Sequence, residues 1–252
     1  MDRMFVGKIA LVTGGSSGIG RATALAFAAQ GASVVVASRR EEESAQTVRQ
    51  VIAAGGQAIF VQTDVTQAGQ IQALVARTVA EYGGLDYAFN NAGIEGTPFV
   101  PVQHYAEETW DAVFAINVKG VFLSMKYELP HIVATQGAIV NMASVAGLVG
   151  GRMGAAYCAS KHGVVGLTKA AALEYADKGV RINAVAPAVI HTPMAERAFF
   201  HDPAIEARVI AMHPIGRVGT PDEVAQAVIW LCSPAASFTT GHTLPIDGGV
   251  LV

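Results

Sequence analysis

Short apolar runs alternate with helix-length segments from residue 8 to residue 246, and this alternation constrains the fold more than any other feature of the chain. The runs at 8–13, 33–37, 57–62, 85–89, 138–142, 180–185 and 243–246 are largely continuous in apolar character, as parallel strands covered on both faces are. Between them, 18–30, 41–54, 67–82, 107–131, 155–176 and 221–232 read as helices. Gly31, Gly55-Gly56 and Gly83-Gly84 stop three of these, and Pro221 opens the last. The segment 190–218 is polar, punctuated by proline and partly helical. No linker or repeat interrupts the order. Right-handed crossovers then predict one doubly wound α/β domain over 1–252, with a mostly seven-stranded parallel sheet and helices on both faces. Ligands bind such sheets at the carboxyl ends of the strands, so the residues at those ends are the candidates for function.

The first of those ends reads Thr13-Gly14-Gly15-Ser16-Ser17-Gly18-Ile19-Gly20. Glycine at 14, 18 and 20 permits a tight turn and lets backbone approach a pyrophosphate, while the free N–H groups of the helix start attract the anion. In this position, after the first strand of a βαβ unit, the motif reads as a dinucleotide loop. The second strand ends in Ser38-Arg39-Arg40. A carboxylate there would bind a ribose diol and repel a 2′-phosphate; Ser38 is not one, and Arg39, helped by Arg40, offers a fork suited to phosphate. NADP(H) is therefore expected over NAD(H). Asp64-Val65 follows the third strand. Its carboxylate is placed either to accept from an adenine amino group or to cap the next helix. Asn91-Ala92-Gly93 ends the fourth strand, with small and amide-bearing residues that fit beneath a cofactor.

Residues 137–161 bring a different chemistry. A strand ends at Met142, a small Gly-rich loop carries Ser144, and a helix carries Tyr157 and Lys161. Four helical residues turn the chain by about 400°, so the phenol and the ammonium share a face. A phenol with a pKa of about 10 is a poor base at neutral pH, and moving it to about 7 takes about 4 kcal/mol. An ammonium some ~4–5 Å away supplies about 3–4 kcal/mol at an effective dielectric near ~20. Tyr157 is thus expected as general acid/base, Lys161 as its electrostatic tuner, and Ser144 as a hydrogen bond to the substrate oxygen. Asn117, amid Val113, Phe114, Ile116, Val118 and Val121, has two readings: a water-holding link in the proton path, or a satisfied core amide.

These motifs, in this order and spacing, resemble the short-chain dehydrogenase/reductase family over 5–250. The resemblance implies a Rossmann-like fold and a tetrad of Asn117, Ser144, Tyr157 and Lys161, with Lys161 and Tyr157 also meeting the nicotinamide ribose. It further implies that Pro187, the backbone near Ile190 and the side chain of Thr192 lie beside the nicotinamide. Arg39 stands where NADP-preferring members carry it. One departure is Ala188 after Pro187, where the family usually has glycine.

The expected reaction is hydride transfer between the nicotinamide and a carbonyl or secondary alcohol. A 3-oxoacyl thioester reductase of the same family and a cofactor-binding regulator without turnover are the rivals. Residues in 94–102, 145–153 and 190–213 are mostly apolar or small, which favours a small, largely apolar substrate. Glu95, Arg152 and His191 are the polar exceptions. A net charge of −3 with no basic block argues against a nucleic-acid partner. No apolar run reaches 18 residues, so no membrane span is expected. Cys158 and Cys232 lack metal or disulfide spacing, which suits a reducing cytoplasm. Gly163, Gly166, Ala170, Ala171 and Ala172 on the helix after Tyr157, with the apolar stretch 244–252, predict a homo-oligomer. The resemblance implies a homotetramer.

Overall fold

The computed structural model describes residues 3–151 and 153–252. Seven strands form one parallel sheet: β1 (Ile9–Thr13), β2 (Ser33–Ser38), β3 (Gln57–Gln62), β4 (Tyr87–Asn90), β5 (Ala138–Met142), β6 (Arg181–Pro187) and β7 (Thr243–Ile246). The spatial order is β3-β2-β1-β4-β5-β6-β7, so the winding reverses between β1 and β4. The crevice of a doubly wound sheet opens at that reversal.

Alternation along the strands divides the core in two. Ala10, Val12, Val34, Val36, Phe89, Val140 and Val185 point to one face. Ile9, Leu11, Val35, Ala88, Ile139, Ile182 and Ala184 point to the other. Successive strand residues face opposite sides, so a strand buried on both sides has no polar alternation to show. The first face is covered by α1 (Gly18–Ala29), α2 (Glu41–Ala53) and α9 (Pro221–Cys232). The second is covered by α3 (Ala68–Tyr82), α5 (Gly120–Thr135) and α6 (Ala155–Tyr175). Two short helices, α7 (Pro193–Ala198) and α8 (Pro203–Ala211), make up the helical part of 190–218 and build a small apolar cluster of their own around Phe199 and Val209.

The helix expected over 107–131 is different in kind. It runs as α4 (Glu107–Phe114), a π turn at Ala115–Lys119, and α5, which continues past Pro130 to a left-handed cap at Gln136. A π turn carries one residue more per turn and is confined to places where something else holds it. Asn117 is in its middle, and its bonds, given below, are what hold it.

The small-residue face expected on α6 is narrower than the sequence suggests. Ala171 and Ala172 are buried in this chain's own core, and a Cβ on Gly163 would sit 3.4 Å from Val118. Gly166 and Ala170 remain exposed, together with Leu173.

Under the ends of β4 and β5 lies a buried polar chain. Asn90 Nδ2 donates to Glu128 Oε2 at 3.0 Å and to Asn141 Oδ1 at 3.1 Å, and Asn141 Nδ2 donates to Thr168 Oγ1 at 3.0 Å. Among the described residues, Glu128 Oε1 and Asn90 Oδ1 are buried without a partner. Burial pushes the Glu128 carboxyl up to about 7, although the Asn90 bond pulls the other way. A raised carboxyl favours the neutral form in the folded state, so its contribution is full below the unfolded value and is lost as pH rises through 7. Wild type is expected to lose about 3 kcal/mol of stability between pH 5 and pH 9 through this group, at ~1.4 kcal/mol per pKa unit. Glu128→Gln should flatten that slope. Thermal unfolding followed across pH checks it, and parallel curves for the two proteins would refute the assignment.

Candidate active site

A cleft of about 940 Å³ opens at the carboxyl ends of the strands, over the reversal point. Gly14, Ser16, Ser17, Gly18, Ile19, Ser38, Arg39, Arg40, Asp64, Val65, Asn91, Ala92, Gly93, Ser144, Tyr157, Lys161, Pro187, Ile190 and Thr192 all line it. Of the residues singled out from the sequence, Gly20 and Asn117 lie just behind its wall. Arg152 lies outside the described residues.

The glycine loop is built for close approach. Gly14 has φ of +65°, and a Cβ there would meet Asn91 Nδ2 at 2.8 Å. A Cβ on Gly20 would lie 2.3 Å from the Gly14 carbonyl oxygen and 2.6 Å from Asn91 Nδ2. Asn91 holds the loop from the neighbouring strand, with Nδ2 donating to the carbonyls of Thr13 and Gly14 at 3.1 and 3.2 Å. Thr13 Oγ1 returns the link by accepting from the backbone of Asn91 at 3.0 Å. The switch point is thereby tied across β1 and β4.

Arg40 reaches over this loop, donating to Ser16 Oγ and Ser17 Oγ at 2.7 Å each. Ser38 Oγ accepts from the Arg40 N–H at 3.0 Å and pairs with Ser44 Oγ at 2.7 Å. Arg39 makes no ion pair among the described residues, and it lines the cleft. Asp64 does not cap α3, whose N-cap is Gln67; instead its Oδ1 accepts from both the N–H and the hydroxyl of Thr66 at 2.9 Å, folding a tight turn ahead of the helix.

At the other end of the cleft, β5 stops and Ser144 takes extended backbone with φ of −173°. Its hydroxyl donates to the Pro187 carbonyl at 3.3 Å and accepts from the Ala146 N–H at 3.2 Å. Lys161 is 3% exposed, and its Nζ donates to the Met142 carbonyl at 2.8 Å while lying 5.5 Å from the centre of the Tyr157 ring. Asn117 is fully buried. Its side chain exchanges two 2.9 Å bonds with the Ile94 backbone and donates to Ser160 Oγ at 3.1 Å. Ser160 in turn donates to the Tyr157 carbonyl at 2.7 Å. The side-chain amide is thus satisfied, and it links the π turn to the helix of Tyr157. A Cβ on Gly93 would sit 3.2 Å from Asn117 Oδ1 and 3.7 Å from Lys161 Nζ. Glycine there leaves both polar groups room.

The electrostatics differ from the sequence expectation. Burial pushes the Tyr157 phenol up to about 12; the Ser144 hydroxyl beside it pulls it back and Glu95 pushes it further up. Burial also lowers the Lys161 ammonium to about 8. The expectation of a phenol near neutrality weighed the attraction between the two groups and omitted the cost of taking both out of water, which here is the larger effect. In the free protein the phenol therefore holds its proton.

The substrate end of the cleft is apolar: Ile94, Phe99, Val149, Met153, Phe199 and Met212 line it. Phe99 and Phe199 meet edge to face at 6.2 Å, and Arg197 pairs with Glu95 at 3.0 Å, so the loop after β4 is joined to α7 across the opening. Phe99 has φ of +63°, a strained value for an aromatic residue. Glu95 is thus an ion-paired wall residue. His191 is exposed, stacked on Phe200, and 3.8 Å from Glu196. The Met142 carbonyl, the Ile94 backbone and Ser160 are parts of this geometry that the sequence did not mark, because each acts through backbone or a tertiary neighbour.

A family model described as enoyl-(acyl carrier protein) reductase matches residues 14–251. The chain is 47% identical over 249 residues to cyclohexanol dehydrogenase of an Acinetobacter species, covering 98% of this chain and 96% of that protein. It is 46% identical over 245 residues to 2,5-dichloro-2,5-cyclohexadiene-1,4-diol dehydrogenase of Sphingobium indicum, covering 96% of each. The crystal structure of levodione reductase superposes with a TM-score of 0.92 at 38% identity, over 97% of this chain and 98% of that one.

Proposed function

The chain belongs to the short-chain dehydrogenase/reductase family, and from that premise we propose that it is an NADP(H)-preferring oxidoreductase interconverting a secondary alcohol and a ketone on an apolar six-membered ring. The observation that carries this is the meeting of Ser144, Tyr157 and Lys161 with the glycine loop in one cleft whose far end is apolar. The ring-alcohol class is supported by the relatives, named for cyclohexanol and for a cyclohexadiene diol.

The residues present fit a dinucleotide. Gly14, Gly18 and Gly20 carry no side chain where Asn91, the Gly14 carbonyl and Thr192 already stand, which keeps the loop on its tight path, and Ser16, Ser17 and Arg40 would hold the phosphates. Asp64 and Val65 would border the adenine; Asn91, Ala92, Gly93, Pro187, Ile190 and Thr192 would border the nicotinamide half. When bound, the nicotinamide supplies or accepts the hydride. The chain's own residues handle the proton. Ser144 Oγ orients the substrate oxygen. Tyr157 Oη, protonated at neutral pH as phenols are and kept so by burial, gives its proton to the ketone oxygen as charge develops there. Lys161 Nζ, fixed by the Met142 carbonyl, stabilises the phenolate left behind. Alcohol oxidation needs that phenolate first, so it should gain with rising pH where ketone reduction does not.

The NADP(H) preference rests on Ser38 and Arg39. A carboxylate is missing where it would repel a 2′-phosphate, and Arg39 lines the cleft outside any ion pair among the described residues. Arg39→Asp should weaken NADPH binding by about tenfold or more, the worth of a charge-assisted hydrogen bond, and leave NADH unweakened. Fluorescence titration with both dinucleotides checks this; equal affinity in wild type with no effect of the substitution would refute it. The activity itself is tested by assaying cyclic and open-chain ketones and a 3-oxoacyl thioester with both cofactors. Preference for the thioester would favour acyl-carrier chemistry.

A homotetramer is part of this reading. Several large apolar side chains are exposed, among them Trp110, stacked on Phe114 at 4.7 Å, Phe122, Leu173, Trp230, Phe238 and Val252. Burying such side chains against a second copy would remove them from water.

A further inference from the structure

The segment that covers the substrate end of the cleft leaves the sheet at Val189 and ends at Met212, and one buried side chain joins its two ends. His213 is 3% exposed. Its Nε2 accepts from the Val189 N–H at 3.3 Å, and its Nδ1 donates to the Val209 carbonyl at 2.8 Å. A backbone N–H requires a lone pair and a carbonyl requires a proton, so these partners assign the ring proton to Nδ1. The other side of the same turn is held by Gly219, whose N–H donates to the Val189 carbonyl at 3.0 Å and whose carbonyl accepts from His191 at 2.9 Å. Before it, the Ala188 N–H donates to the Ile246 carbonyl at 3.1 Å.

This turn carries Ile190 and Thr192 into the cleft. Thr192 Cγ2 lies 3.2 Å from where a Cβ on Gly18 would stand, so the segment that His213 holds packs against the glycine loop through the Thr192 side chain. A shift at Val189 therefore moves a wall of the dinucleotide site. Interior groups are close-packed, and a displacement there is transmitted.

We propose that His213 is a positioning residue for the dinucleotide, its imidazole lone pair fixing the path of residues 189–192 against the glycine loop. The inference rests on the dinucleotide-dependent reading above. It separates the imidazole's two bonds: the acceptor at Nε2 serves the cofactor, and the donor at Nδ1 serves only the end of α8.

Two substitutions divide those bonds. His213→Gln places an amide oxygen near the position of Nε2 and keeps an acceptor for Val189. His213→Asn places an amide nitrogen near Nδ1 and keeps only the bond to Val209. Thermal unfolding and NADPH fluorescence titration are measured for wild type and both variants, with steady-state kinetics on cyclohexanol and NADP+. Both variants are expected to lose similar thermal stability. His213→Gln should bind NADPH within about threefold of wild type, whereas His213→Asn should bind about tenfold more weakly, with the cofactor KM rising in step and kcat changing less. Equal affinity in the two variants would overturn the inference, as would losses that follow thermal stability alone. If His213→Asn does not fold, weakening of His213→Gln beyond about tenfold overturns it and affinity near wild type upholds it. A wild type that binds NADPH but turns over no ring alcohol or ketone removes the proposed function and leaves the binding comparison decisive. A wild type that binds neither dinucleotide overturns both.

Discussion

Tyr157→Phe is expected to lower kcat by about 10³-fold while NADPH binding stays within about threefold of wild type. The substitution deletes one oxygen and leaves the ring, so the packing beside Lys161 survives and only the proton donor is lost. General acid–base catalysis contributes about 10²–10⁴-fold, and here no neighbouring side chain takes over. Ser144 is the nearest hydroxyl, but it is bound to the Pro187 carbonyl and the Ala146 N–H. The free-protein phenol is held up to about 12 by burial, so the loss should appear in ketone reduction at neutral pH, where the protonated phenol is the working form. Steady-state kinetics with a parallel dinucleotide titration separates the two effects. Loss of binding together with turnover would mean the ring is structural; retained turnover would mean the proton comes from elsewhere.

Gly20→Ala should abolish measurable dinucleotide binding, a loss of about 100-fold or more. The added methyl would have to sit 2.3 Å from the Gly14 carbonyl oxygen and 2.6 Å from Asn91 Nδ2. Both atoms belong to the clamp that ties β1 to β4, so the loop must move rather than a flexible side chain. Overpacking of this kind costs about 1–3 kcal/mol in stability as well. Gly69→Ala is the matched control: it lies in α3 with nothing within 4 Å of the new Cβ, and it should bind dinucleotide as wild type does. The same titration, run on both variants, decides; unchanged binding in Gly20→Ala would remove the close-approach explanation of the loop.

Most of the architecture is legible from residue order because the two strongest signals are local. Strands such as Ile9–Thr13 and Ala138–Met142 are buried on both faces, so they appear as compact apolar runs, and glycines with left-handed backbone such as Gly83 mark helix ends. The cleft residues were legible for a related reason: in a doubly wound sheet they stand at strand ends, where Gly14, Asn91 and Ser144 are conspicuous after apolar runs. What escaped depends on tertiary partners. The π turn at Ala115–Lys119 is held by the bonds of Asn117 to Ile94 and Ser160, and helical periodicity continues through it undisturbed. Asp64 was readable as a helix cap until its bond to Thr66 showed a separate turn before α3. The raised Tyr157 and lowered Lys161 follow from desolvation, which depends on the depth of the site and not on spacing. Glu128 drew no reading from the sequence, because its partner Asn90, itself bonded to Asn141, comes from strands that lie side by side only in the fold.

In the proposed reaction this cleft carries a hydride from a nicotinamide to a ring carbonyl, with Tyr157 delivering the proton. Its most direct test is the fate of the transferred hydrogen. Wild-type protein is incubated with cyclohexanone and NADPH deuterated at both C4 positions of the nicotinamide, and the product is examined by mass spectrometry. Hydride transfer from the nicotinamide gives cyclohexanol carrying one deuterium on the carbinol carbon, formed in step with the loss of absorbance at 340 nm. Alcohol formed without deuterium, or no conversion of any ring ketone with either cofactor, would contradict it.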